Sequence, residues 1–289
     1  MVATEFDLQL TSGRLHARRH GSPGAPLVLA VPGLSANLMS FEFLGERTDP
    51  ETVQLVSVDL RGRGLSDVTP PGSYGWVRHA ADLFEIADQL AAETFSLVGH
   101  SMGAAVAMAA AAQDASRIER MVLVDLCGVP DPSTAAPIGA SVARLGAVYP
   151  SAQAYIDQIK AIGTIQPWSE YWDRYFRYEL QPAEGGGVAV RTSRAAVTED
   201  AMFGVGACAF GDAAGVYGLW TSLSMPVLLL RATREMFPGT GFILSRRDRD
   251  RFTEQVSQAV AVDIDANHYT IATSDEAAGA IARFLTPGG

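Results

Sequence analysis

The sequence predicts an α/β protein: a doubly wound, mostly parallel sheet carrying an inserted helical cap. Three observations lead there. Short runs at 27–31, 55–58, 95–98, 121–124 and 227–230 are apolar and rich in Val and Leu, the pattern of strands buried on both faces. Helical patterns at 76–92, 103–113 and 247–259 separate most of them, and strand, helix, strand order winds a parallel sheet. The alternation breaks between 130 and 220, where Pro130, Pro132, Pro137 and Gly185-Gly186-Gly187 punctuate helical stretches. That block reads as the cap, with 1–129 and 221–289 as the core.

In chain order, Phe6, Leu8 and Leu10 alternate with polar residues and 15–19 follows a Ser12-Gly13 turn, so the chain opens on a β-hairpin. The near-continuous apolar stretch 102–112 is far shorter than the roughly 20 residues that span a bilayer. Gln113 and Asp114 end it, and it reads as a buried helix. Inside the cap, Trp168, Tyr171, Trp172, Tyr175, Phe176 and Tyr178 form an aromatic stripe at helical spacing. Such a stripe is mainly packing, and Trp168 and Trp172 are the residues of it expected to line an apolar pocket between cap and core. The segment 246–251 alternates Arg and Asp and reads as a solvated helix face. The last run, 260–264, alternates more and belongs near the sheet edge.

With 289 residues, 48% of them apolar, the chain can bury a large core. Its formal charge of −10 repels polyanions, so neither nucleic acid nor an anionic membrane is an expected partner. Lys160 is the single lysine and has no neighbouring signal of Schiff-base or phosphate chemistry. The opening residues carry no basic and apolar leader pattern. Cys127 and Cys208 lack metal-ligand or redox spacing, which fits reduced, packed thiols in a cytoplasmic protein. No cofactor or metal is expected.

Gly99-His100-Ser101-Met102-Gly103 stands directly after a predicted strand and before an apolar helix. A serine on so sharp a turn needs small residues two positions to either side, and the strain exposes its hydroxyl above the sheet edge. A hydroxyl is a poor nucleophile unless an imidazole takes its proton. Of the five histidines, His16 and His20 precede the core sheet, His79 opens a helix, and His100 points away if Ser101 points up. His268, on the loop after the last strand, is the expected general base. The acid belongs on a loop after a strand between them. Glu235, beyond 227–230, is preferred, with Asp125 at the end of 121–124 as the alternative. Backbone amides of Met102, at the helix start, and Leu34, in Val31-Pro32-Gly33-Leu34, are positioned to receive an oxyanion.

These features resemble the α/β-hydrolase superfamily, and within it the capped serine esterases, over 20–125 and 222–284. The run Asp59-Leu60-Arg61-Gly62-Arg63-Gly64-Leu65-Ser66 resembles that family's structural turn after its second core strand. Pro32 stands where the family often has histidine before the oxyanion glycine, and Glu235 where aspartate is commoner. The resemblance implies hydrolysis of a carboxylic ester or lactone through an acyl-enzyme on Ser101. The expected substrate is a small to medium, hydrophobic, uncharged molecule. Carbon–carbon bond hydrolysis or perhydrolysis by the same triad, and a silent ligand-binding member of the fold, are the alternatives. Relatives that open epoxides or dehalogenate carry aspartate where Ser101 stands.

Overall fold

In the computed structural model, which describes residues 3–205 and 215–286, alternate side chains of each central strand feed two separate cores. The strands are β1 (Thr4–Leu10), β2 (Gly13–His20), β3 (Leu27–Val31), β4 (Gln54–Val58), β5 (Phe95–His100) and β6 (Ile118–Val124). They continue with β7 (Val148–Tyr149), β8 (Leu180–Pro182), β9 (Val188–Val190), β10 (Val227–Ala232) and β11 (Ala259–Ile264). Eight of them form one sheet in the order β1-β2-β4-β3-β5-β6-β10-β11. The opening hairpin pairs antiparallel, with Phe6 opposite Ala17, and β2 joins β4 antiparallel. Every other pairing in that sheet is parallel.

Leu29, Leu97, Leu123 and Leu229 face one core, and Ala30, Val98, Val122 and Leu228 face the other. A two-residue period buried on both sides explains why these runs are apolar throughout. The helices are α1 (Glu42–Gly45), α2 (Trp76–Gln89), α3 (Met102–Asp114), α4 (Ala135–Ala143) and α5 (Ala152–Ile162). After them come α6 (Glu170–Tyr178), α7 (Arg194–Val205), α8 (Gly215–Gly218), α9 (Arg246–Gln255) and α10 (Asp275–Leu285). The first core takes α2 and all-round buried α3, and the second takes α10. Two expected helices are shorter than their patterns. Helix α2 stops at Gln89 because Ala91 turns left-handed, and α9 stops at Gln255 because Ala259 pairs with Val227 in the sheet.

The cap differs from a purely helical insertion. Strands β7, β9 and β8 make a small antiparallel sheet, and α5 and α6 pack with it around Tyr155, Trp172 and Phe176. Its end also falls short of 220: Val216, Leu219 and Trp220 bury in the first core, where the Trp220 indole donates to the Cys127 carbonyl at 2.7 Å. Cys127 is buried, and burial pushes its thiol up. Cys208 lies outside the described residues. Among the described residues no helix is long and apolar enough to cross a membrane.

The tightest place in the fold is where β5 turns into α3. A Cβ added at Gly99 would stand 2.2 Å from the Gly103 carbonyl oxygen, and one at Gly103 would stand 2.0 Å from that of Val31. Backbone cannot yield as a side chain can. Gly103→Ala is therefore expected to cost about 3 kcal/mol of stability, read as a lowered denaturation midpoint. An unchanged midpoint would refute the close packing described.

Candidate active site

Ser101 sits at φ +56°, in left-handed territory that L side chains avoid. Two contacts hold it there. Its amide donates to the Val124 carbonyl at 2.9 Å, and its own carbonyl accepts from Ala104 at 2.9 Å. On the other side Gly33 approaches so closely that a Cβ there would lie 3.2 Å from the Ser101 Cβ. The hydroxyl is left above the carboxyl ends of the strands, facing a cavity.

His268 lies beyond β11, on the loop before α10, and its Nε2 stands 3.1 Å from Ser101 Oγ. Its Nδ1 is 2.8 Å from Asp125 Oδ2. A carboxylate only accepts, so Nδ1 carries the proton and the bare Nε2 receives the Ser101 hydroxyl. Asp125 is 2% exposed, and its second oxygen accepts the Ala232 amide at 2.9 Å. Burial pushes this carboxyl above its usual range, opposed by the His268 and Ala232 bonds.

The preferred acid, Glu235, is not brought to His268. Its carboxylate accepts from the Gly239 and Gly241 amides at 2.6 and 3.3 Å and braces its own loop. Asp125 takes the place because β6 lies next to β5, at the strand end beside Ser101, and its backbone turns left-handed at φ +54°. Two histidine expectations also change. His16 and His20 lie within the sheet, on β2. His100 does not turn away from the site: its ring lies against that of His268, centroids 4.7 Å apart, and its Nε2–H donates to the His268 carbonyl at 3.0 Å. Burial, with His268 beside it, pushes His100 down to about 3, so the ring is neutral at physiological pH. His79 is structural, buried against Asp200.

The Leu34 and Met102 amides both border the cavity, and neither donates to a protein acceptor among the described residues. The Leu34 turn is held from behind. Arg63, fully buried, donates to the Leu34 carbonyl through Nε and Nη2 at 3.1 and 2.8 Å and pairs with Asp200 of α7 at 2.6 Å. Asp200 also accepts the Gly75 amide at 2.6 Å. Near His268, Asn267 donates to the Thr164 carbonyl of the cap at 2.7 Å. Sequence reading placed Arg63 only in a structural turn and missed Asp200 and Asn267, because the contacts Arg63–Asp200 and Asn267–Thr164 join segments distant in the chain.

The cavity over Ser101 holds about 1140 Å³. Trp172, Tyr175, Phe176, Ile159 and Val216 contribute apolar wall. Trp168 does not reach it: its ring stacks on Phe176 at 5.6 Å, with the Lys160 ammonium on it at 4.7 Å.

Comparison with known proteins identifies the family and the fold. The sequence model of a family described as alpha/beta hydrolase fold matches residues 26–273. The N-formylmaleamate deformylase of Pseudomonas putida is 42% identical over 112 residues, 39% of this chain and 41% of that protein. An sn-1-specific diacylglycerol lipase of Mus musculus is 33% identical over 129 residues, 44% of this chain and 41% of that one. The chain thus spans about two fifths of the length of these curated relatives. The crystal structure of E-2-(acetamidomethylene)succinate hydrolase superposes with a TM-score of 0.82 at 23% identity, covering 98% of this chain and 99% of the other.

Two outcomes follow from the geometry. Asp125→Asn is expected to lower turnover by about 10⁴-fold, since an amide there favours the wrong imidazole tautomer, while Glu235→Gln leaves it within a few-fold; the reverse ranking in steady-state kinetics would return the acid role to Glu235. Burial would raise the Asp200 carboxyl, but His79, Arg63 and the Gly75 amide outweigh it and hold it near 2, below its ordinary 3.8. That depression contributes on the order of 2 kcal/mol above pH ~4, lost as pH falls toward 2. Denaturant melts at a series of acid pH values are expected to show this limb in the wild type and a flatter one in Asp200→Asn.

Proposed function

The chain belongs to the alpha/beta-hydrolase family, and from that membership we propose that it is a serine hydrolase acting on the ester or lactone bond of a small to medium, largely hydrophobic substrate. The observation that carries this reading is the chain of contacts from Asp125 through His268 to Ser101, at 2.8 and 3.1 Å, opening on an apolar cavity. Ser101 Oγ attacks the acyl carbon as His268 Nε2 takes its proton, and Asp125 stabilises the imidazolium. The Leu34 and Met102 amides receive the oxyanion without having to reorganise. His268 then gives the proton to the leaving alcohol, and water repeats the sequence on the acyl-enzyme to release the acid. Each buried methylene of the substrate adds about 0.8 kcal/mol of binding to such a wall.

A second reading has its own support. The deformylase relative is named for removing an N-formyl group, and the same triad can expel an amine if His268 protonates it. The lipase relative favours the ester reading.

A fluorophosphonate probe is expected to label Ser101, and a panel of p-nitrophenyl esters, lactones and N-formyl amides to rank the leaving groups. Ser101→Ala and His268→Ala should each lower turnover by several orders of magnitude, and their combination should add little, because triad members act as a unit. Failure of the probe to label folded protein would point to a silent binding protein instead.

A further inference from the structure

Arg144, at the C-terminal end of α4, is the one Lys or Arg side chain in the described cavity wall. It is 15% exposed, and its position is held from one side only. Nη1 donates to the Tyr155 hydroxyl at 2.5 Å and to Glu179 Oε1 at 2.9 Å. Glu179 is fully buried and also accepts from Tyr155. Nε and Nη2 donate to no acceptor among the described residues, yet neither is sealed off as a buried orphan. Arg144 borders the cavity, and this edge is the part of its side chain left without a protein partner among the described residues.

That edge has a specific shape. Nε–H and the outward Nη2–H of a guanidinium are parallel donors at the spacing of two carboxylate oxygens, and this pairing is stronger and more selective than a point charge. Burial would weaken the Arg144 charge, but Glu179 and the neighbouring tyrosines hold it above its ordinary range. Arg144 shares the cavity wall with Tyr269, whose ring stands 5.9 Å from that of His268. A packing role would be satisfied by the Nη1 contacts alone and gives no account of a fork left open in a mostly apolar wall.

We propose that the Nε–Nη2 edge of Arg144 is a carboxylate subsite of the substrate cavity, so that the acyl compound presented to Ser101 carries one carboxylate remote from the bond to be cleaved. The second half rests on Ser101 being the nucleophile; the first does not. This replaces the uncharged substrate read from the sequence by one that is apolar along its length and anionic at one end.

The test compares p-nitrophenyl hemiesters of adipate, pimelate and suberate with the neutral p-nitrophenyl esters of equal chain length. The wild type is expected to favour the anionic member of at least one pair by about ten- to hundredfold in kcat/KM, and Arg144→Met to bring that ratio near one. In parallel, Ser101→Ala protein, which lacks the nucleophile, is titrated calorimetrically with monomethyl suberate and with dimethyl suberate, so that binding is read without turnover. The monoanion should bind at least about tenfold tighter. If Arg144→Met fails to fold because Glu179 loses its partner, Arg144→Met/Glu179→Gln is used in its place. Equal binding of the two suberates, or a preference that survives loss of Arg144, overturns the subsite. Tighter binding of the monoanion with no ester cleaved and no phosphonate labelling upholds the subsite and rejects the hydrolase reading.

Discussion

The close crossing of β3, β5 and α3 governs the geometry of the whole site. Gly103 lies against the Val31 carbonyl, Gly99 against Gly103, and Gly33 against Ser101, so three backbone segments meet where most proteins interpose side chains. A helix can begin one residue after a strand ends only if the residue between them takes an unfavourable backbone conformation, and Ser101 takes it. The strain is sustained because the surrounding sheet and α3 are buried on every side. One consequence is that the Met102 amide, first in the helix, is left without an acceptor beside the serine hydroxyl. The nucleophile and an oxyanion donor thus arise from the same turn.

Around that turn, distant segments are fastened by polar groups in dry surroundings. Asp125 couples β6 to β10 through the Ala232 amide and to the His268 loop through Nδ1. Arg63 ties the Leu34 carbonyl to Asp200 of the cap, and Asn267 ties the His268 loop to Thr164 of the cap. Tyr178 of α6 adds a bond to Asp59 at 2.6 Å. The cap is therefore bonded to both loops that flank Ser101 and is more than a cover. Buried charges of this kind are costly to break singly, because the partner is left unpaired where water cannot replace it. They hold orientation more than they add net stability.

The cavity has the opposite character. Its wall is mostly hydrocarbon, and Arg144 is the one Lys or Arg among its described lining residues. Apolar walls discriminate weakly, by about one methylene at a time, whereas a buried donor pair rejects a ligand that leaves it unmatched. Length and bulk would then be selected by the aromatic side of the cap, and charge by the end of α4. The protein's net charge of −10 does not oppose this, since screening limits long-range repulsion to about a Debye length and the fork acts at contact.

Features set by local patterns were legible in the sequence. The buried strands follow from continuous apolar runs, the hairpin from alternation about Ser12-Gly13, and the elbow from glycines two positions either side of Ser101. Their causes lie within a few residues of one another. His268 was also legible, because few histidines compete and chain order restricts the choice. What depended on neighbours far apart was not. Glu235 and Asp125 both follow strands, and only the order β5-β6-β10 puts Asp125 beside Ser101 and leaves Glu235 to brace its own glycine-rich loop. His100 against His268, Arg63 against Asp200, and the open edge of Arg144 were likewise settled by packing across more than thirty residues of chain. Backbone sterics and hydrophobic periodicity act along the chain and can be read from it; which polar groups meet in the dry interior is decided by the tertiary structure, because each partner's position depends on the whole sheet.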